Sequence, residues 1–176
     1  MSALALAVLA SSAVLSLQKA LDSCADWTME RTLAGSGRTL VSAGDVRCKA
    51  GESIVWTVKS PFESSVAMTT NAMVFVDEDG RREKSLDDLP HYEDIRRATD
   101  AFAAGNTNAF DGVFEIRETE LPSGGWRLEL RPEVSAMRRL FTSIEVTGAA
   151  LPTNAVLHNG DGGTSVIRFR EKGRDR

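Results

Sequence analysis

The feature that most restricts this chain is a two-residue rhythm that starts at Cys24 and, with one interruption, runs to Arg170. Trp27, Met29 and Arg31 alternate with Thr28, Glu30 and Thr32; after Gly35-Ser36-Gly37 come Thr39, Val41 and an extended run to Lys49. Residues at this period stand on alternate faces of a strand, so each run has one face to cover. Further runs are Ser53 to Lys59 around Trp56, Ser65 to Thr69 around Met68, and Ala72 to Val76 around Phe75. Later come Val113 to Glu118, Trp126 to Arg131, Leu140 to Thr147, Asn154 to His158 and Ser165 to Arg170. Ser123-Gly124-Gly125 and Asn159-Gly160-Asp161-Gly162-Gly163 supply turns between them. About ten short strands in hairpin order predict a mainly β fold, a large antiparallel sheet curling into an open or closed barrel.

Two segments follow a helical period instead. Ser12 to Ser23 has Leu17 and Leu21 four apart and Ser12 placed to cap. Pro90 fits a first helical turn, Glu93 and Asp94 suit its N-terminus, and Tyr92, Ile95, Thr99 and Phe102 recur at helical spacing until Gly105. Ahead of these, Ala3 to Leu17 carries no charge and is too short to span a bilayer. Val8-Leu9-Ala10 has small residues where a signal peptidase needs them, but the basic n-region is missing. Residues 1–15 therefore read as a degraded or truncated signal peptide, or as a core-packing N-terminal helix, with export the favoured reading.

With 176 residues, 42% of them apolar, the chain is long enough to bury the core of one domain. Lys and Arg number 21 against 25 acids, a balance that disfavours nucleic acid. The whole excess lies between Asp77 and Asp100, where nine acids meet five bases. Such a run reads as a solvated surface segment or as a mobile element that avoids sticking to membranes. Only His91 and His158 could act as histidine ligands or bases, so no metal and no cofactor is expected. GxGxxG, Walker, HExxH and GxSxG motifs are absent. His158, Asp161 and Ser165 can be drawn as a triad, but they belong to a hairpin turn, and no catalytic residue is assigned. Asp87-Asp88 and Glu93-Asp94 are better explained by helix-start electrostatics than by acid/base pairing.

The cysteines follow from the first hairpin. If Ser36 centres a three-residue turn, opposed residues sum to 72, which sets Cys24 across from Cys48. A disulfide is then expected, with two buried thiols as the alternative and a bulge or even-numbered turn as what would break the match. The apolar positions of the strands collect Trp27, Met29, Ile54, Trp56, Val58, Met68, Met73, Phe75, Phe114, Trp126, Leu128 and Leu130. They either pack as plain core against the two helices or line a ligand cavity lidded by them.

At this point the residues resemble the LolA-like outer-membrane lipoprotein carrier proteins. The resemblance runs over residues 12–172. It begins with Leu17-Gln18-Lys19-Ala20-Leu21-Asp22, Trp27-Thr28 and a Gly-Ser-Gly turn, then Gly44-Asp45-Val46, Trp56 and Ser60-Pro61. It continues through Gly125-Trp126-Arg127-Leu128-Glu129-Leu130-Arg131-Pro132, Leu140 to Val146, Leu151-Pro152 and Asp161-Gly162-Gly163-Thr164 with Ile167 and Phe169. It implies an unclosed β-barrel of roughly eleven strands covered by a helical lid. It also implies periplasmic transport, without catalysis, of the acyl chains of lipoproteins or other lipids by a monomer, between an inner-membrane donor and an outer-membrane acceptor. The lipid-binding residues would be the apolar set above, and Tyr92, Ile95 and Phe102 would face the cavity from a lid within Asp77 to Asp100. One departure matters. Where the family has an Arg-Pro step whose arginine ties the lid shut, this chain has Ala50 and Gly51. A sensory or scaffolding module that recognises a partner protein on the same fold is the second reading, and a hydrolase the third.

Overall fold

The computed structural model describes residues 24–49, 53–69, 71–85, 112–122 and 124–171. They form eleven strands: β1 (Cys24–Thr32), β2 (Thr39–Lys49), β3 (Ser53–Ser60), β4 (Ser64–Thr69), β5 (Ala72–Asp77), β6 (Gly80–Ser85), β7 (Phe114–Glu120), β8 (Trp126–Pro132), β9 (Phe141–Gly148), β10 (Pro152–Asn159) and β11 (Thr164–Glu171). Among the described residues one short helix, α1 (Ser135–Leu140), interrupts them between β8 and β9. The fold is mainly β, as the two-residue rhythm predicts. The two amphipathic segments, Ser12 to Ser23 and Pro90 to Ala104, lie outside the described residues, as do residues 1–15 and the lid residues Tyr92, Ile95 and Phe102.

All eleven strands join one antiparallel sheet in the order β6-β5-β4-β3-β2-β1-β11-β10-β9-β8-β7. Two meanders are visible in that order. Strands β1 to β6 pair each with the next, strands β7 to β11 do the same, and β1 pairs with β11 to join the two. Among the described residues β6 and β7 are edges that do not pair with each other, so the sheet is an unclosed barrel.

Three local features depart from the sequence reading. The first is β6, whose Gly80-Arg81-Arg82-Glu83-Lys84-Ser85 has no apolar alternation. It pairs with β5 through a turn in which the Asp79 N–H donates to Asp77 Oδ1 at 3.1 Å, and Arg82 is ion-paired with Asp77. The start of the acidic segment is therefore a charged edge strand rather than lid, and such charges discourage a second chain from adding there. The second is α1, whose last residue, Leu140, was expected to open a strand. No side chain caps α1 at its start, but Arg138 and Arg139 in its last turn complement the helix dipole.

The third is the register of the first hairpin. Thr32 faces Thr39 and the Leu33 N–H donates to the Arg38 carbonyl at 2.9 Å, which leaves the even-numbered turn Ala34-Gly35-Ser36-Gly37. Opposed residues therefore sum to 71, and Cys24 faces Arg47. Cys48 pairs on its other side with Ile54. The facing of Cys24 and Cys48, on which the disulfide expectation rested, is not realised.

Candidate functional site

Tracing the register across the sheet sorts the apolar side chains onto one face. Trp27 faces Gly44, which faces Val58; Val46 faces Trp56, which faces Val66, which faces Phe75. In the other direction Trp27 faces Phe169, and Met29 faces Ile167, then Ala155, Val146 and Leu128. Leu130 faces Ile116, and Phe114 faces Pro132. In the backbone ladder, Ile54 faces Met68 and Met68 faces Met73, in phase with the same row. Every residue expected to line a cavity thus falls in the phase of one face. The structure adds Val66, Ile116, Ile144, Val146, Ala155, Leu157, Ile167 and Phe169, whose signal was the same alternation in β4, β7 and β9 to β11.

Burial divides this face in two. Over β1 and β7 to β11 it is mostly closed: Trp27, Leu128 and Leu130 are at most 2% exposed, and Phe114, Trp126, Val146, Ala155 and Ile167 are buried, while Met29, Ile116, Ile144, Leu157 and Phe169 between them are half-buried. Over β3 to β5, Trp56, Val58, Val66, Met73 and Phe75 are only half-buried. What sets β3 to β5 apart is that none of the described inner-face side chains there is buried, and a continuous half-covered apolar strip is what a binding surface offers. The candidate site is this strip together with the indole that borders it.

That border is an aromatic cluster built by a glycine. The rings of Trp27 and Trp56 stack with centroids 4.8 Å apart, and Phe169 meets Trp56 edge-on at 6.3 Å. Trp27 and Trp56 sit two strands apart, so the indole must cross β2. Position 44 permits it: a Cβ there would fall 2.8 Å from Cζ2 of Trp27 and 1.8 Å from the Thr57 carbonyl oxygen. The ladder also shifts register between Ala43 and Gly44, which sharpens the local bend. The far half repeats the device, since Gly148 lies opposite Trp126 and a Cβ there would fall 2.8 Å from its Cζ2. The two indoles differ in their N–H groups. That of Trp126 donates to the Ala149 carbonyl at 2.6 Å, while that of Trp27 meets no acceptor among the described residues.

Polar groups gather at one end of the same face. Arg31, two inward positions beyond Trp27 on β1, ion-pairs with Asp161 at 2.9 Å, and Asn159 Nδ2 donates to the buried Ser165 hydroxyl at 3.1 Å. The Gly163 backbone N–H, followed by the Arg31 guanidinium, holds the Asp161 carboxyl below its ordinary value of 3.8. His158 faces Thr164 and Leu157 faces Ser165, so His158 and Ser165 stand on opposite faces of the sheet. With Asp161 committed to Arg31 and Gly163, no triad assembles there.

The opposite face carries ions. Asp45, from the Gly44-Asp45-Val46 step, is fully buried, with Lys59 Nζ 2.5 Å from one oxygen and Arg47 Nε 3.3 Å from the other. The hydrogen bond that Lys59 donates to Asp45 raises its ammonium above its ordinary value of 10.5. Arg168 pairs with Glu30 at 2.6 Å and Arg170 with Asp26 at 3.8 Å. One side of the sheet is thus apolar and the other laced with charge over its central strands.

No family model matches the sequence, and no curated protein matches it. Among solved structures, the chain is similar to a LolA superfamily protein from Nitrosomonas europaea, at 13% identity and a TM-score of 0.50 over 98% of this chain and 94% of that one. It also aligns with a conserved protein from Thermus thermophilus, at 13% identity and a TM-score of 0.47 over 90% and 85% of the two chains. A third similarity, to the MucA/MucB complex of Pseudomonas aeruginosa, has 14% identity and a TM-score of 0.45 over 94% of this chain and 59% of that one. The fold is LolA-like.

Proposed function

We propose that this protein is a periplasmic carrier that holds the acyl chains of lipoproteins or other lipids against the apolar face of its sheet and ferries them between membranes. The observation that carries this reading is the half-buried strip Trp56, Val58, Val66, Met73 and Phe75, continuous with a buried row on the same face. The LolA-like fold supports it. The need is physical: at about 0.8 kcal/mol per methylene, a chain of roughly fourteen methylenes costs about 11 kcal/mol to expose to water. An aqueous compartment is crossed only if that surface is covered. Met73 and Met29 suit a wall that adapts to chains of varied shape, because an unbranched thioether repacks easily. Tyr92, Ile95 and Phe102 would complete the cover from the lid, and without the family arginine the lid must be held by other contacts.

The test places a charge in the strip. Trp56→Glu and Phe75→Glu should each weaken binding of a fluorescent fatty acid about tenfold or more, because an ionised carboxylate would face hydrocarbon. Unchanged binding in variants that keep the wild-type circular dichroism spectrum overturns the carrier reading. Mass spectrometry of lipids co-purified from the native envelope then identifies the cargo.

A further inference from the structure

The contrast between the two deep indoles has a use. Both lie on the inner face, and both cross a glycine of the neighbouring strand. The Trp126 N–H is met by the Ala149 carbonyl, whereas the Trp27 N–H, in a residue 2% exposed, has no acceptor among the described residues. Buried indole N–H groups usually find a partner, because burial forfeits the bond to water. Trp27 cannot readily swing to find one. Its ring is stacked on Trp56 and its edge lies against the backbone at Gly44.

We infer that the Trp27 N–H is a recognition donor for an acyl carbonyl oxygen of the cargo, whether ester, amide or free acid. This rests on the carrier reading and names the group that reads the acyl end of the cargo. The position fits that chemistry. An acyl carbonyl is the oxygen at the junction of tail and headgroup, and Trp27 lies at such a junction on the sheet. On one side is the apolar strip of Trp56, Val66 and Phe75. Along β1, past Met29, is Arg31, whose Nε is also buried without an acceptor among the described residues, beside Asp161 and Ser165. A tail laid over the strip would set its carbonyl at Trp27 and its headgroup toward Arg31.

The experiment compares methyl palmitate with hexadecane, each supplied from cyclodextrin, in competition with a fluorescent reporter. Trp27→Phe removes the donor and keeps a ring. It should weaken methyl palmitate about fivefold more than it weakens hexadecane, the worth of one hydrogen bond. An equal loss for both ligands overturns the inference, because it would show that only packing changed. A second measurement does not depend on that variant folding. The chain has three tryptophans, so 15N-labelled wild-type protein gives three indole N–H resonances, which Trp56→Phe and Trp126→Phe assign by elimination. The Trp27 resonance should move downfield with methyl palmitate and stay with hexadecane. Binding of both ligands with that resonance unmoved overturns this assignment alone; binding of neither overturns the carrier reading and this assignment with it.

Discussion

Replacing Gly44 with alanine adds one methyl group at the most crowded point of the inner face. The new Cβ would lie 1.8 Å from the Thr57 carbonyl oxygen, 2.8 Å from its carbon and 2.8 Å from Cζ2 of Trp27. Relieving the first contact requires β2 and β3 to separate locally by roughly 1.5 Å, and overpacking of this kind costs about 1–3 kcal/mol. The shift also loosens the Trp27–Trp56 stack, worth about 0.5–1.5 kcal/mol beyond its area. A total near 3 kcal/mol corresponds to a fall in Tm of about 6–12 °C for a chain of this length. Urea unfolding followed by circular dichroism, with tryptophan fluorescence as a second probe, measures it directly. Two controls sharpen the test. Gly35→Ala, at φ +75° with nothing within 4 Å, should cost only the left-handed conformation, about 1 kcal/mol. The double variant Gly44→Ala/Trp27→Leu should not recover stability, because the tightest contact is with backbone. A Gly44→Ala protein within about 0.5 kcal/mol of wild type, or a rescue by Trp27→Leu, refutes the reasoning.

Leu130→Ala, at a residue 1% exposed on the inner face, should cost about 2–5 kcal/mol in urea unfolding. The Asp161 carboxyl is depressed below 3.8, so its contribution is complete above that pH and is lost as pH falls through the lower folded value. Asp161→Asn should therefore flatten the decline in urea midpoint below about pH 4. Lys59 runs in the opposite sense. Its folded value lies above 10.5, so its contribution holds below that pH and is lost as pH rises through the folded value. Lys59→Met should abolish that alkaline decline while lowering the midpoint at neutral pH, since it takes one cation from the buried Asp45.

Most of the sheet was legible because its strands bury one face. Where that condition lapses, the reading lapses with it. Strand β6 has charge on both faces and is held by backbone pairing to β5, so no apolar alternation marked it. The cysteine placement failed for a different reason. Ladder geometry depends on the parity of a turn, and Ala34-Gly35-Ser36-Gly37 differs from a three-residue turn by one residue, which flips every facing partner. The residues of the inner face were recoverable from alternation alone, but their uneven burial was not, because burial is a property of the assembled sheet. The Trp27 cluster was likewise hidden. Its residues come from β1, β3 and β11, and the glycine that lets them meet lies on β2.

The sheet order has a consequence for how the molecule comes into being. Every pairing except one joins strands that are neighbours in the chain, and the exception is the seam of β1 with β11, where Ala25 meets Glu171. Two meanders can grow by local zippering, which is fast, but their union waits for the last strand, and long loops are slow to close. While the chain is being synthesised, the apolar row therefore exists only as two unjoined halves. Trp27 and Phe169, which flank the same aromatic cluster, come together last. A chain that ended before Thr164 would lack β11, and neither meander alone would span the full inner face.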